Sequence, residues 1–217
     1  MAKQYAVIGM GRFGTSVASE LYEMGYEVLG IDTNEDKIQD AVDFVTHAVT
    51  ADSTDDNALK ALGIRNFDVV VVAIGADIQA SILTTLILKE LGVKKIVVKA
   101  QNELHGKVLT KIGADKVVYP ERDMGIRVAH NLISPNILDY IELSPEYSMI
   151  EIVANHKMVG KTLQETDIRK KYGCTVMAIK RGEDINISPL ANDRIDQGDI
   201  LVVIGKNDDL QTLEEEA

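Results

Sequence analysis

Cys174 is the single cysteine in this 217-residue chain. It permits no intrachain disulfide and no cysteine metal cage, which fits a reducing compartment, and it reads as a small apolar core residue rather than a nucleophile. The longest strongly apolar run, Val69 to Ile74, falls far short of the roughly 20 residues needed to cross a bilayer. From Lys3 the chain passes directly into a strand-like segment, without the apolar stretch and cleavage site of a secretory signal, so a cytosolic protein is expected. His47, His105, His130 and His156 show no clustered spacing, and no Ser-His-Asp order, His-x-x-x-His helix or cysteine pair occurs. G-x-x-x-x-G-K-[ST] is missing as well, which leaves nucleotide hydrolysis without recognisable machinery. Positive charge is scarce: the net charge of −11 opposes nucleic acid and anionic membranes. Any anionic ligand must be held locally, by backbone N–H groups and a few placed cations.

What is present is a soluble, globular composition, with 46% apolar and 26% charged residues. The pattern along the chain alternates. Gln4 to Ile8 reads as a strand, and Phe13, Val17, Leu21 and Met24 then recur at helical spacing until Gly25. Further strands are expected at 27–31, 47–50, 69–74, 95–99 and 116–119, with helices from about Glu35 and over 55–62, 78–91 and 103–112. Six strands alternating with helices imply an α/β, Rossmann-like, doubly wound parallel sheet. After Pro120 the alternation changes. A helix over 123–132, a break at Ser134-Pro135-Asn136, a short segment 138–143 and Ser144-Pro145 read together as a crossover helix and linker. Beyond it, strands at 149–153, 174–179, 185–187 and 200–204, with helices at 162–172 and 208–216, make a small α+β unit. The expected domains are therefore 1–122, a linker over 123–144, and 145–217. The stretch 135–217 holds sixteen acidic and nine basic residues, and so carries seven of the eleven excess negative charges.

Gly9, Gly11 and Gly14 form a G-x-G-x-x-G between the first strand and first helix, and Asp32 ends the second strand eighteen residues after Gly14. In that setting Gly9 permits the tight turn, Gly11 lets a phosphate approach the backbone, and Gly14 lets helix and strand pack closely. The helix N-terminus offers N–H groups to an anion, and Asp32 is placed to accept from ribose hydroxyls. The rival reading is a packing turn with a solvated aspartate, against which strand, helix and acid all stand in place. Arg12, beside Phe13 inside the loop, suits a terminal phosphate better than a nicotinamide, so ATP or ADP competes with NAD; a surface arginine at a helix start is the other reading. Asp52, Ser53 and Thr54 after the third strand, Ala73, Ile74 and Gly75 after the fourth, and Lys99 at the end of the fifth all lie where open α/β sheets bind ligands. Ser53 and Thr54 serve equally well as helix caps.

At larger scale, "YAVIGMGRFG", "GIRNFD", "VKAQN", "KIGADKVVYPERDMG" and "KYGCTVMAIKRGEDINISP" resemble the cytosolic regulators of Ktr-type potassium uptake systems, which have an RCK architecture of TrkA-N plus TrkA-C. The resemblance covers essentially the whole chain. It implies a homodimer that assembles into an octameric ring beneath a potassium-conducting integral-membrane subunit, activated by ATP relative to ADP. It assigns the nucleotide to Gly9, Gly11, Arg12, Gly14 and Asp32, and Phe13, inside the same loop, is a further cofactor-binding candidate. It also assigns a divalent cation or Na+ at the dimer interface to Glu121, and cyclic di-AMP, as an inhibitor, to Arg169. Thr175 departs from the asparagine expected in that last pocket. From the residues alone, Glu121 equally suits an exposed pair with Arg122 or Lys116, and Arg169 a solvated helix arginine. An NAD-dependent dehydrogenase or an NADH-reporting redox sensor remains the alternative of another class. The enzyme would need a general acid or base that no clustered residues supply.

Overall fold

The computed structural model describes residues 3–133 and 137–216, in two compact units divided between Arg122 and Asp123. The first unit alternates strand and helix throughout: β1 (Gln4–Ile8), α1 (Arg12–Glu23), β2 (Glu27–Asp32), α2 (Glu35–Ala41), β3 (His47–Thr50), α3 (Asp56–Ala61), β4 (Val69–Val72), α4 (Ile78–Glu90), β5 (Ile96–Lys99), α5 (Glu103–Ile112) and β6 (Lys116–Val118). All six strands are parallel, in the order β3-β2-β1-β4-β5-β6. The order reverses between β1 and β4, the switch point at which doubly wound sheets open a crevice beyond their carboxyl ends. Val70, Val71 and Val72 are buried as the interior of a parallel sheet requires. Leu59, Ile64, Leu88, Ile96 and Leu109 fill the core on one face; Ala18, Val28 and Ile38 pack the other.

α6 (Pro120–Ile133) begins earlier than the spacing predicts. Pro120 and Glu121 are helical rather than the end of a strand, because proline's fixed φ suits the first helical position, where its missing N–H costs nothing. The expected break at Ser134-Pro135-Asn136 lies outside the described residues.

The second unit holds β7 (Ile137–Ser144), β8 (Tyr147–Val153), α7 (Leu163–Thr166), α8 (Ile168–Tyr172), β9 (Thr175–Arg181), β10 (Asp184–Asn186), β11 (Ile200–Lys206) and α9 (Asn207–Glu216). Its sheet is antiparallel, in the order β10-β9-β11-β8-β7. Residues 137–144, expected as linker, are its edge strand. Ser144 accepts N–H groups from Glu146 and Tyr147 and closes the turn that folds β7 onto β8. The single helix expected over 162–172 is two. Thr162 and Glu165 form a reciprocal capping box, and Asp167 at φ 51° then ends α7 and starts α8. Cys174 is buried, its thiol pushed up to about 11 by burial, in a core with Ile150, Ile152, Leu201 and Leu213.

Candidate functional site

The three loop glycines meet three different surroundings. Gly9 sits at φ 96°, and a Cβ there would lie 3.0 Å from the Ala73 carbonyl carbon. At Gly14 a Cβ would lie 1.9 Å from the Gly9 carbonyl oxygen, so no side chain fits. A Cβ on Gly11 would meet nothing within 4 Å, and its φ of −82° is open to any residue. Nothing among the described residues demands glycine at 11. Space kept clear in front of a helix N-terminus is what a phosphate needs.

Gly11 is also the N-cap of α1, with no side-chain cap and no acidic residue in the first turn. The first N–H groups of a helix have no partner within it. Arg12, the first helical residue, is exposed, and among the described residues it makes no ion pair. Asp32 is only 8% exposed and holds the loop in place. Its Oδ2 accepts from the Met10 N–H at 2.7 Å and from Lys37 Nζ at 3.3 Å, and its Oδ1 from the Asn34 N–H at 2.9 Å. A carboxylate has about four acceptor positions, so one remains for a ligand hydroxyl.

The neighbouring candidates divide. Asp52 Oδ1 accepts from the Thr54 N–H at 2.8 Å and from Thr54 Oγ1 at 2.7 Å, which holds its carboxyl below the usual aspartate range. Ser53 is buried, with its hydroxyl 2.8 Å from that of Thr84 on α4. The cap of α3 is neither Ser53 nor Thr54 but Asp55, which accepts from Asn57 N–H. The Ala73 N–H donates to the Ile8 carbonyl at 2.7 Å and ties β4 to β1 just below the loop, with Ile74 partly buried beside it.

Lys99 gathers several of these parts. Its side chain is 11% exposed, its Nζ lies 5.6 Å from the Phe13 ring centroid, and a Cβ on Gly75 would lie 3.4 Å from it. It forms an ion pair with Glu121 in the first turn of α6. The bond from Lys99 holds the Glu121 carboxyl below the usual glutamate range, with the Arg12 charge adding to it. Of the partners considered from sequence, Arg122 lies 4.2 Å from the Tyr119 ring centroid. Among the described residues, no group of three or more His, Cys, Asp or Glu is placed to hold a metal ion. Sequence reasoning had no means of pairing Lys99 with Glu121, since nothing local signals a contact across 22 positions.

In the second unit Arg169 is exposed in the last turn of α8, followed by Lys170 and Lys171. No described helix is long and apolar enough to cross a membrane.

Residues 5–120 match the TrkA-N domain family, and residues 147–217 match the TrkA-C domain family. Over 99% of its length the chain is 58% identical to Ktr system potassium uptake protein C of Bacillus subtilis, covering 97% of that protein. The chain belongs to the TrkA-N/TrkA-C family of Ktr potassium uptake proteins. Protein A of the same system in Bacillus subtilis is 52% identical over 99% of this chain and 96% of its own. Among solved structures the chain is similar to the GsuK channel, with a TM-score of 0.55 and 26% identity over 98% of this chain; it spans 38% of that channel chain. The GsuK channel bound to NAD gives a TM-score of 0.53 at the same identity, again with 98% of this chain and 38% of that chain covered. RCK architecture, with a Rossmann-like sheet followed by a small antiparallel one, is thus the fold of this Ktr relative.

Proposed function

We propose that this chain is the cytosolic regulatory subunit of a Ktr-type potassium uptake system, a nucleotide-responsive component and not an enzyme. It works as a homodimer within an octameric ring, docked on an integral-membrane subunit that conducts potassium. The observation that carries the nucleotide reading is the clear space at Gly11 in front of the uncapped α1. Near-full-length identity to two Ktr potassium uptake proteins supports the system it serves.

ATP and ADP differ by one phosphate, and a ligand moves a conformational equilibrium only through unequal affinity for its states. Arg12 is the residue that reads the difference: exposed, without an ion pair among the described residues and at the first position of α1, it offers a bidentate guanidinium to the outermost phosphate. Asp32 accepts from the ribose, and Asp52 and the 73–75 strand end flank the adenosine. Glu121 from two copies would contribute hard oxygen ligands to a divalent cation or Na+ at the dimer interface. Arg169 would take a phosphate of cyclic di-AMP, one arginine from each chain matching the ligand's two-fold symmetry.

The second reading is an NAD(H)-binding redox sensor, favoured by the likeness to a channel bound to NAD. Thermal unfolding of the purified protein with ATP, ADP, NAD and NADH separates the two. A ligand at 100 times its Kd stabilises by about 2.7 kcal/mol. Stabilisation by ATP and ADP, with a preference that Arg12→Ala abolishes, is expected; stabilisation by NADH alone would overturn the reading.

A further inference from the structure

The segment "GIRNFD", residues 63–68, takes no part in the glycine-loop site. It leads from α3 into β4 at the opposite, amino edge of the first sheet. Gly63, at φ 65°, follows the last residues of α3, and Ile64–Asn66 make a single 3₁₀ turn. Ile64 is buried in the core and anchors the turn, while Arg65 and Asn66 beside it are exposed. A cavity of about 410 Å³ adjoins the turn, with Lys60, Arg65, Asn66 and Leu91 in its walls. That size is within the range of small-ligand pockets. Gly63 also borders the cavity, and a Cβ there would come within 3.2 Å of Asn66 Nδ2.

The chain has 34 acidic and 23 basic residues, yet two cations and no carboxylate line this cavity. Lys60 has a local reason to be there: it stands in the last turn of α3, where a cation offsets the negative helix end, and it pairs with Asp56. Arg65 has none. It makes no hydrogen bond or ion pair among the described residues. The neighbouring edge is positive too, since Lys94 and Lys95 precede β5 and Lys116 opens β6. Asp68 and Asp115, the carboxylates of the same loops, are already engaged. Asp68 accepts from the Gln4 N–H at 3.0 Å and from Lys94 Nζ at 2.7 Å, and Asp115 accepts from the Ile96 N–H at 2.7 Å and pairs with Lys89.

We propose that this cavity is a second anion site, which takes a phosphate monoester. Arg65 offers its planar fork to two phosphate oxygens, and the Asn66 amide supplies a further donor. Lys60 adds a second positive charge, because it can turn from the exposed Asp56 at small cost. Two cations favour a dianion over a singly charged carboxylate, and Leu91 gives the carbon part of the ester an apolar wall. The site needs nothing from the nucleotide reading, since it lies at the other end of the strands.

The test uses the full-length chain carrying Gly11→Asp, which puts a negative charge at the glycine loop and keeps phosphates away from it. Glycerol 3-phosphate is titrated and followed by phosphorus-31 NMR, and cosedimentation with vesicles of phosphatidate in phosphatidylcholine is measured in parallel. Saturable binding of glycerol 3-phosphate is expected, and adding Arg65→Gln should weaken it by at least about tenfold. Arg65 is exposed and unbonded, so the denaturation midpoint should stay in place. Binding to the vesicles alone, removed by Arg65→Gln, would assign the same chemistry to a lipid headgroup. Binding to neither probe, or binding that Arg65→Gln leaves unchanged, would overturn the proposal without touching the nucleotide reading.

Discussion

The helices α1 to α5, which all leave the carboxyl edge of the first sheet, begin in two different ways. α2, α3, α4 and α5 start behind Asn34, Asp55, Asp77 and Asn102, each of whose side chains accepts a first-turn N–H. α1 starts behind Gly11, uncapped. Four helices cap an N-terminal donor with a side chain of their own, and one leaves its donors and the positive end of its dipole without a side-chain cap. An uncapped helix N-terminus is open to an anion, and this one stands at the strand where the sheet order reverses.

The sharpest way to break this contrast is at Gly14. Gly14→Val places atoms inside the Gly9 carbonyl, so strand and helix must separate, at a cost of about 3 kcal/mol or more. Chemical denaturation would show it. Gly11→Asp acts in the opposite sense, because it supplies the missing cap and a negative charge to a site with room for both. Unfolding in denaturant should give a gain of about 0.5 kcal/mol, while calorimetry should show ATP and ADP binding lost. Stability rising as binding disappears would identify α1 as the helix left open for a ligand. Unchanged ATP binding would refute the comparison.

Asp55→Ala provides the control at a self-capped helix. It removes the side chain that accepts from Asn57 N–H, with an expected loss of about 1 kcal/mol in stability and no change in nucleotide affinity. The smallest effect belongs to α5. His105 is buried there, its Nδ1 accepts from the Gln101 N–H and its Nε2 has no partner among the described residues. Burial lowers its pKa. The unfolded chain therefore binds more protons than the folded one as pH falls through the ordinary histidine value of about 6.5, and stability falls with it. Denaturation midpoints between pH 7.5 and 6 should drop in the unaltered chain and drop less in His105→Leu.

Much of this site is legible without coordinates, because its signals are local. The glycine spacing, Asp32 at a strand end and the strand-helix alternation all lie within a few dozen residues of one another. The parts that escaped are of other kinds. In Asp52-Ser53-Thr54-Asp55 every residue is a competent cap, and only the turn that Asp52 makes with Thr54 leaves Asp55 to α3 and turns Ser53 toward Thr84. The strand at 137–144 follows a helix and precedes Ser144-Pro145, which resembles a linker until β8 is there to pair with it. Pro120 reads as a breaker in sequence and is a helix starter in place.

By itself the sequence determined the parallel α/β architecture, the position of the glycine turn and the family, since periodicity, glycine placement and 58% identity along 99% of the chain are properties of a string. Tertiary structure alone decided that Asp32 braces the loop, that Gly11 faces open space while Gly14 faces a carbonyl, and that Lys99 answers to Glu121. These depend on which groups are brought within bonding distance across the sheet's carboxyl edge. Such proximity is set by packing among distant segments, and no local pattern of residues encodes it.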